Sequence, residues 1–204
     1  YVDGTTGEGG HSEGILQADP QVGTVLGIDR DPRSLETAQS RLARFGNRFN
    51  PTPGNYADMA NLAAERGIES VHGVLLDLGF SSRQVERPGY GLSFQLDEPL
   101  DMRYDPQGSL TAEEIVNTYD NRELGQLIRR YGEEPRGMSI ARAIINGRPI
   151  ATTGQLASIV GEVLGRRPGK RVNPATKTFQ ALRIAVNDEL ANVELGLDAA
   201  VGLL

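Results

Sequence analysis

Residues 3–12 read Asp-Gly-Thr-Thr-Gly-Glu-Gly-Gly-His-Ser and place four glycines ahead of a segment patterned as a helix. Glycine takes positive φ and lets a ligand approach the backbone without meeting a Cβ. About twenty residues further on, Val25-Leu26-Gly27-Ile28-Asp29 reads as a buried strand ending in an acid. A glycine turn followed at that distance by a strand-end carboxylate is how α/β folds hold a nucleoside, with the acid on the ribose hydroxyls. Gly4, Gly7, Gly9 and Gly10 do not follow the G-x-G-x-x-G order, so the ligand need not be a dinucleotide. A second strand-end acid, Asp77, closes the apolar run 71–77 and falls at the crevice where such folds place ligand chemistry.

The elements that must position these residues follow from the punctuation. Residues 1–3 are expected as strand and 12–18 as helix, with His11 or Ser12 near its N-cap. Residues 22–29 form the next strand. Asp31-Pro32 then opens a helix to about residue 45, the acid at the N-cap and the proline at the first helical position. Residues 49–56 are a proline-broken strand or loop, 58–66 a helix, and 71–77 a strand apolar on both faces, as a central parallel strand should be. Strands alternating with helices make a doubly wound α/β sheet. Residues 79–109 are irregular and too long for an ordinary connection, which marks them as an active-site segment. Helical patterning resumes at Leu110, with capping boxes at Thr111/Glu114 and Asp120/Glu123, helix stops at Gly132 and Gly147, and a further helix from Thr153 to near Gly165. The expected organisation is an α/β domain over 1–78, the irregular segment 79–109, an inserted all-helical domain over 110–172, and a helix over 173–204 that returns to the α/β domain.

Composition bounds the chemistry. The chain carries a net charge of -6, yet 12 of its 21 Lys and Arg and only 4 of its 27 Asp and Glu lie between Arg122 and Arg183. Such asymmetry suits either an acidic ligand such as RNA or an arginine-rich solvated surface. Without cysteine there is no thiolate metal site and no cysteine nucleophile, and a cytoplasmic location is expected. His11 and His72 are the only histidines, and no metal-ligand spacing occurs. No apolar run is long enough to span a bilayer. The chain starts without Met, directly on a strand, and ends in an apolar helix, so terminal elements are expected to be missing.

The chain resembles the MraW-type 16S ribosomal RNA methyltransferases, the small-subunit methyltransferase H family. The resemblance rests on residues 3–12, on Gly27 to Pro32, on Gly73 to Gln84, on Arg87 to Phe94, on Pro99 to Pro106, and on Asn173 to Ile184. It spans nearly the whole chain in order. What it implies is a Rossmann-like class I methyltransferase sheet with an inserted helical domain. The implied reaction is S-adenosylmethionine-dependent methylation of N4 of a cytidine in the decoding region of 16S rRNA, by direct in-line displacement at the sulfonium methyl and without a metal. The family's leading segment and its later strands with a basic tail have no counterpart here. Amino-directed methyltransferases generally carry an Asp/Asn-Pro-Pro-aromatic motif after the central strand, where this chain has Asp77-Leu78-Gly79-Phe80.

The resemblance assigns roles residue by residue. Gly7, Gly9, Gly10, His11, Asp29, Tyr56, Asp77 and Gln84 fall on the cofactor side, and Asp77, Ser81 and Ser82 are the catalytic candidates. Read from the residues alone, His11 could equally be a helix cap, Tyr56 ordinary packing, and Ser81 and Ser82 turn formers. Arg103, Arg166, Arg167, Lys170, Arg171, Lys177 and Arg183 are the candidates for RNA contact. Arg103 could instead pair with Asp101 or Asp105 and fix their loop. The implied partner is 16S rRNA within the small ribosomal subunit, and a homodimer is compatible with the sequence. A nicotinamide-dependent oxidoreductase and a non-catalytic ribosome assembly factor that keeps the cofactor pocket are the alternatives.

Overall fold

A computed structural model describes residues 1–18, 23–79, 88–165 and 173–204. Ser81, Ser82, Gln84, Arg166, Arg167, Lys170 and Arg171 therefore lie outside the described residues. In chain order the elements are β1 (Val2–Asp3), α1 (Gly10–Ala18), β2 (Val25–Asp29), α2 (Pro32–Leu42), β3 (Phe49–Pro53), α3 (Met59–Ala64) and β4 (Val74–Leu75). They continue as α4 (Ala112–Thr118), α5 (Asn121–Gly132), α6 (Gly137–Asn146), α7 (Thr153–Leu164), α8 (Thr176–Val186) and α9 (Glu189–Leu203). Two compact units result, one of residues 1–79 with 190–204 and one of residues 80–189.

The first unit holds a parallel sheet in the order β3-β2-β1-β4 among the described residues. Its apolar side chains separate into two clusters. Leu16, Val25, Ala38, Leu42 and Phe49 form one with α1 and α2, while Val2, Leu26, Ile28, Met59, Ala63, Ala200 and Leu203 form the other with α3 and α9. The proline-broken stretch resolves as strand β3, paired with β2 along its whole length. As the outer strand it tolerates Pro51 and Pro53, whose missing N–H groups cost no ladder bond on the open side. The expectation for 71–77 needs correction. Only Val74 and Leu75 pair, on one side with β1, and both are half-buried, so β4 is an edge of the described sheet rather than a central strand.

Local chemistry explains the helix boundaries. Asp31 caps α2 by accepting from the Arg33 amide, with Pro32 following as expected. α1 begins at Gly10, so His11 and Ser12 sit inside its first turn and neither is the N-cap. In the second unit, full capping boxes start α5 at Asp120/Glu123 and α7 at Thr152/Gln155, and Thr111 caps α4. Gly147 is the C-cap of α6 as expected. Gly132 differs: it is the last residue of α5, and the left-handed cap is Glu133 at φ 51°. Glycine is required at 132 by close approach, because a Cβ there would lie 2.3 Å from the Lys177 carbonyl oxygen of α8. The helical stretch after Asn173-Pro174 divides, with α8 in the helical unit and α9 in the sheet unit. Asn187 and Asp188, the latter at φ 50°, separate them.

Candidate functional site

Asp3 ends β1 fully buried, and its carboxylate accepts from the Ser12 hydroxyl at 2.7 Å and the Thr5 amide at 3.3 Å. The Thr6 hydroxyl donates to the Asp3 carbonyl, and the Thr6 amide donates to Ile28 of β2. Residues 4–9 are thereby pinned between β1 and β2 before any ligand is considered. Burial pushes the Asp3 carboxyl above its ordinary range, opposed by the Ser12 and Thr5 hydrogen bonds and by His11.

Asp29 ends β2 and closes onto the same loop. One carboxylate oxygen accepts the Gly7 amide at 2.7 Å, the other the Asp31 amide at 2.9 Å. Burial raises its pKa as well; the Asp31 and Gly7 amides oppose the rise, and the charges of Asp31 and Asp3 add to it. Each oxygen keeps a lone-pair direction beyond these bonds, so the carboxylate can hold the loop and still accept from a diol.

The glycines divide by role. Gly7 has φ +52° and nothing within 4 Å of the place a Cβ would occupy, so it borders open space. Gly9, at φ +83°, faces α2: a Cβ would lie 3.0 Å from Leu42 Cδ1 and 3.2 Å from Ala38 Cβ. Gly10 is the first residue of α1, whose N-terminal end points its amides and partial positive charge toward the loop.

Asp77 is brought to this loop from β4. Its amide donates to the Thr5 hydroxyl at 2.7 Å, and its carboxylate lies 3.9 Å from His11 Nδ1. The side chains of His11 and Asp77 are 55% and 69% exposed, which leaves both accessible to a bound molecule. His11 thus faces a partner acid instead of capping. Tyr56 starts a 3₁₀ turn (Tyr56–Asp58), and its ring packs on α9, where a Cβ on Gly196 would be 2.4 Å from Cδ2. That ring edge is committed to packing.

The three described residues expected to contact RNA are engaged within the helical unit. Arg103 forks onto Asp101, with Nε and Nη2 at 2.8 and 2.7 Å, and its Nη1 donates to the carbonyls of Pro106 and Gly108. The bond to Arg103 holds the Asp101 carboxyl below its usual range. The loop-fixing alternative is what the geometry displays. Arg183 forks onto Glu189 at 2.7 and 3.0 Å, with side chains only 14% and 18% exposed, and Tyr104 donates to the same carboxylate. Lys177 Nζ donates to the Glu133 carbonyl at the end of α5, a favourable place for a cation.

Sequence reasoning passed over Thr5, Asp3 and Ser12 as positioning groups. Two threonines inside a glycine run were the available signal, since a hydroxyl there can only bond locally or to the next strand. It also passed over Asn187, whose side chain accepts the Tyr104 amide and donates to the carbonyls of Met102 and Arg183. Among the described residues no cluster of His, Cys, Asp and Glu could hold a metal ion, and no helix is long and apolar enough to cross a membrane.

A parallel α/β sheet whose first loop is tied to the acid that ends β2 and to the amide of Asp77, just past β4, is the Rossmann-like arrangement of methyltransferases. The sequence profile of the MraW methylase family matches residues 1–204, and the chain belongs to that family. Relatives named ribosomal RNA small subunit methyltransferase H match all of it. The relative from Geobacter sulfurreducens is 48% identical and that from Thermomicrobium roseum 49%. The relative from Dehalococcoides mccartyi is 48% identical. The chain covers 67%, 63% and 58% of these three proteins, respectively.

Proposed function

We propose that the protein methylates N4 of a cytidine in the decoding region of small-subunit ribosomal RNA, using S-adenosylmethionine. The single observation that carries this reading is the convergence of the Gly7 loop, Asp29 and Asp77 on one side of the sheet. It occurs in a chain whose relatives are named small-subunit ribosomal RNA methyltransferases.

The residues present fit the cofactor. The Gly7 loop borders open space, and the side chains around it, Asp29, Asp77 and His11, are predominantly acidic. That suits a ligand bearing a sulfonium and an ammonium group. When bound, S-adenosylmethionine supplies a methyl group on a sulfonium centre that an amine can displace. Asp29 accepts from the ribose hydroxyls, and the first turn of α1, with Gly10 and His11, faces the methionine carboxylate. Asp77 accepts a hydrogen bond from the exocyclic amine of the target base and orients its nitrogen, a task for which its exposed carboxylate is available. The Thr5 bond fixes the backbone from which that carboxylate projects. Ser81 and Ser82 on the base side, and Gln84 on the cofactor side, complete the proposed set. A stacked cytidine must be splayed from its helix to reach this point.

Calorimetry with S-adenosylmethionine and with NADH tests the cofactor. Binding of NADH without the sulfonium compound would overturn the proposal in favour of an oxidoreductase. Mass mapping of ribosomal RNA made with Asp29→Ala and Asp77→Ala full-length protein tests the chemistry, and unchanged methylation removes these acids from it.

A further inference from the structure

Among the described residues the arginines fall into two groups. Most have a bonded partner within the protein, as Arg41 and Arg44 have in Glu13, Arg103 in Asp101 and Arg183 in Glu189. Others are held by carbonyls, as Arg148 is by Val116 and Arg136 by Val163. On α5 the pattern is different. Arg122, Arg129 and Arg130 are exposed, and among the described residues their guanidinium groups form no ion pair or hydrogen bond. Arg142 on α6 shares this condition.

Their spacing places the three together. At about 100° per residue, Arg129 is about 20° from the azimuth of Arg122 and two turns along, roughly 10 Å, while Arg130 is about 80° to its other side. The acids nearest the start of this face are committed: Glu123 closes the capping box onto the Asp120 amide, and Asp120 accepts the Arg122 and Glu123 amides. The opposite face, with Leu124 and Ile128, is buried in the core of the helical unit. The guanidinium of Arg130 lies 5.4 Å from the centroid of the Tyr131 ring, adding an aromatic plane at the end of the row.

We infer that the outer face of α5, through Arg122, Arg129 and Arg130, is a docking surface for the sugar-phosphate backbone of the RNA substrate. The inference rests on the RNA reading of the preceding section. Guanidinium forks match phosphate oxygens, and on this rigid helix Arg122 and Arg129 stand in one row with Arg130 to its side, none of them in an ion pair among the described residues. The Arg130–Tyr131 pair suits an unstacked base beside that backbone. A membrane surface fits less well, because the apolar face of α5 is already covered by its own core.

The test uses full-length protein with Arg122→Gln, Arg129→Gln and Arg130→Gln combined, a transcript of small-subunit ribosomal RNA, and anisotropy across a salt series. The expected result is an affinity at least about tenfold weaker at low salt and a salt slope shallower by about 2 to 3. The thermal midpoint should fall by no more than a few degrees, since Arg129 and Arg130 lie in the last turn of α5, and S-adenosylmethionine affinity should stay unchanged. A wild-type protein with steep salt dependence and a triple variant with the same slope would overturn the α5 assignment while leaving the RNA reading intact. An equal loss of affinity for anionic vesicles or polyglutamate would show generic attraction and overturn it too. Wild-type protein that binds S-adenosylmethionine but does not retain the RNA would sink the substrate reading itself.

Discussion

Gly7 and Gly9, two residues apart in one loop, should fail in opposite ways when replaced by alanine. Both hold positive φ, so each substitution costs about 1–2 kcal/mol from the left-handed backbone alone. For Gly7 nothing is added, because no atom of the protein lies within 4 Å of the new Cβ. For Gly9 the methyl would press on Leu42 Cδ1 at 3.0 Å and on Ala38 Cβ and Cα at 3.2 and 3.3 Å. Ala38 is on the backbone of α2 and cannot rotate away, so overpacking adds roughly 1–3 kcal/mol. At ~2–4 °C per kcal/mol for a chain of this size, Gly7→Ala should lower the melting temperature by a few degrees. Gly9→Ala should lower it by roughly 4–20 °C. Calorimetric titration with S-adenosylmethionine should rank them the other way. The Gly7→Ala methyl occupies space we assign to the ligand and should weaken binding at least tenfold, whereas folded Gly9→Ala should bind nearly as wild type. If Gly7→Ala keeps its affinity, the open space beside Gly7 is not where the cofactor lies.

Further outcomes are expected elsewhere. Thr5→Val removes the acceptor of the Asp77 amide and should cut methylation with little change in melting temperature, while Thr5→Ser restores it; equal activity in both variants removes Thr5 from the positioning of Asp77. Arg183→Gln leaves Glu189 without its cation, with the Tyr104 hydroxyl still donating to it, and should destabilise by on the order of 2 kcal/mol, below the range for a fully buried pair, without altering the salt slope of RNA binding. A shallower slope in that variant would return Arg183 to the RNA interface. Burial raises the Asp3 carboxyl, so the folded state holds that proton more tightly than the unfolded chain. The resulting stability is fully present below the ordinary carboxylate value and is lost as pH rises through the folded value. Relative to Asp3→Asn, the wild-type urea midpoint should therefore rise on acidification from neutrality, and parallel pH profiles would contradict the assignment.

The sheet, the glycine loop and the acids at 29 and 77 could be read from the sequence because each depends on local patterning. Strand periodicity, helix caps and a strand-end acid are all signalled within a few residues. The partners of Arg103, Arg183 and Lys177 could not be read so. Each side chain is neutralised or held by a group whose proximity depends on how loops and helices pack, and a basic residue looks the same whether paired or open. The unpaired arginines of α5 were hidden for the same reason, inside a helix whose pattern gave only its buried face. Gly132 was legible as a helix end, but the need for glycine came from the α8 carbonyl 45 positions later in the chain. The short extent of β4 was hidden in turn, since an apolar run over 71–77 does not say that only Val74 and Leu75 pair with β1.

The hydrogen bond from Asn55 to Asn192 joins two residues 137 positions apart within the sheet unit. The helical unit, by contrast, is one continuous stretch from 80 to 189. During synthesis at ~5–20 residues per second, Asn55 waits on the order of 7–27 seconds for its partner. The stretch that interrupts the sheet unit can therefore fold before the unit that begins first. Until α9 has emerged, the nascent sheet exposes the apolar face that Ala200 and Leu203 later cover. In the cell, that interval is when a chaperone has most to bind.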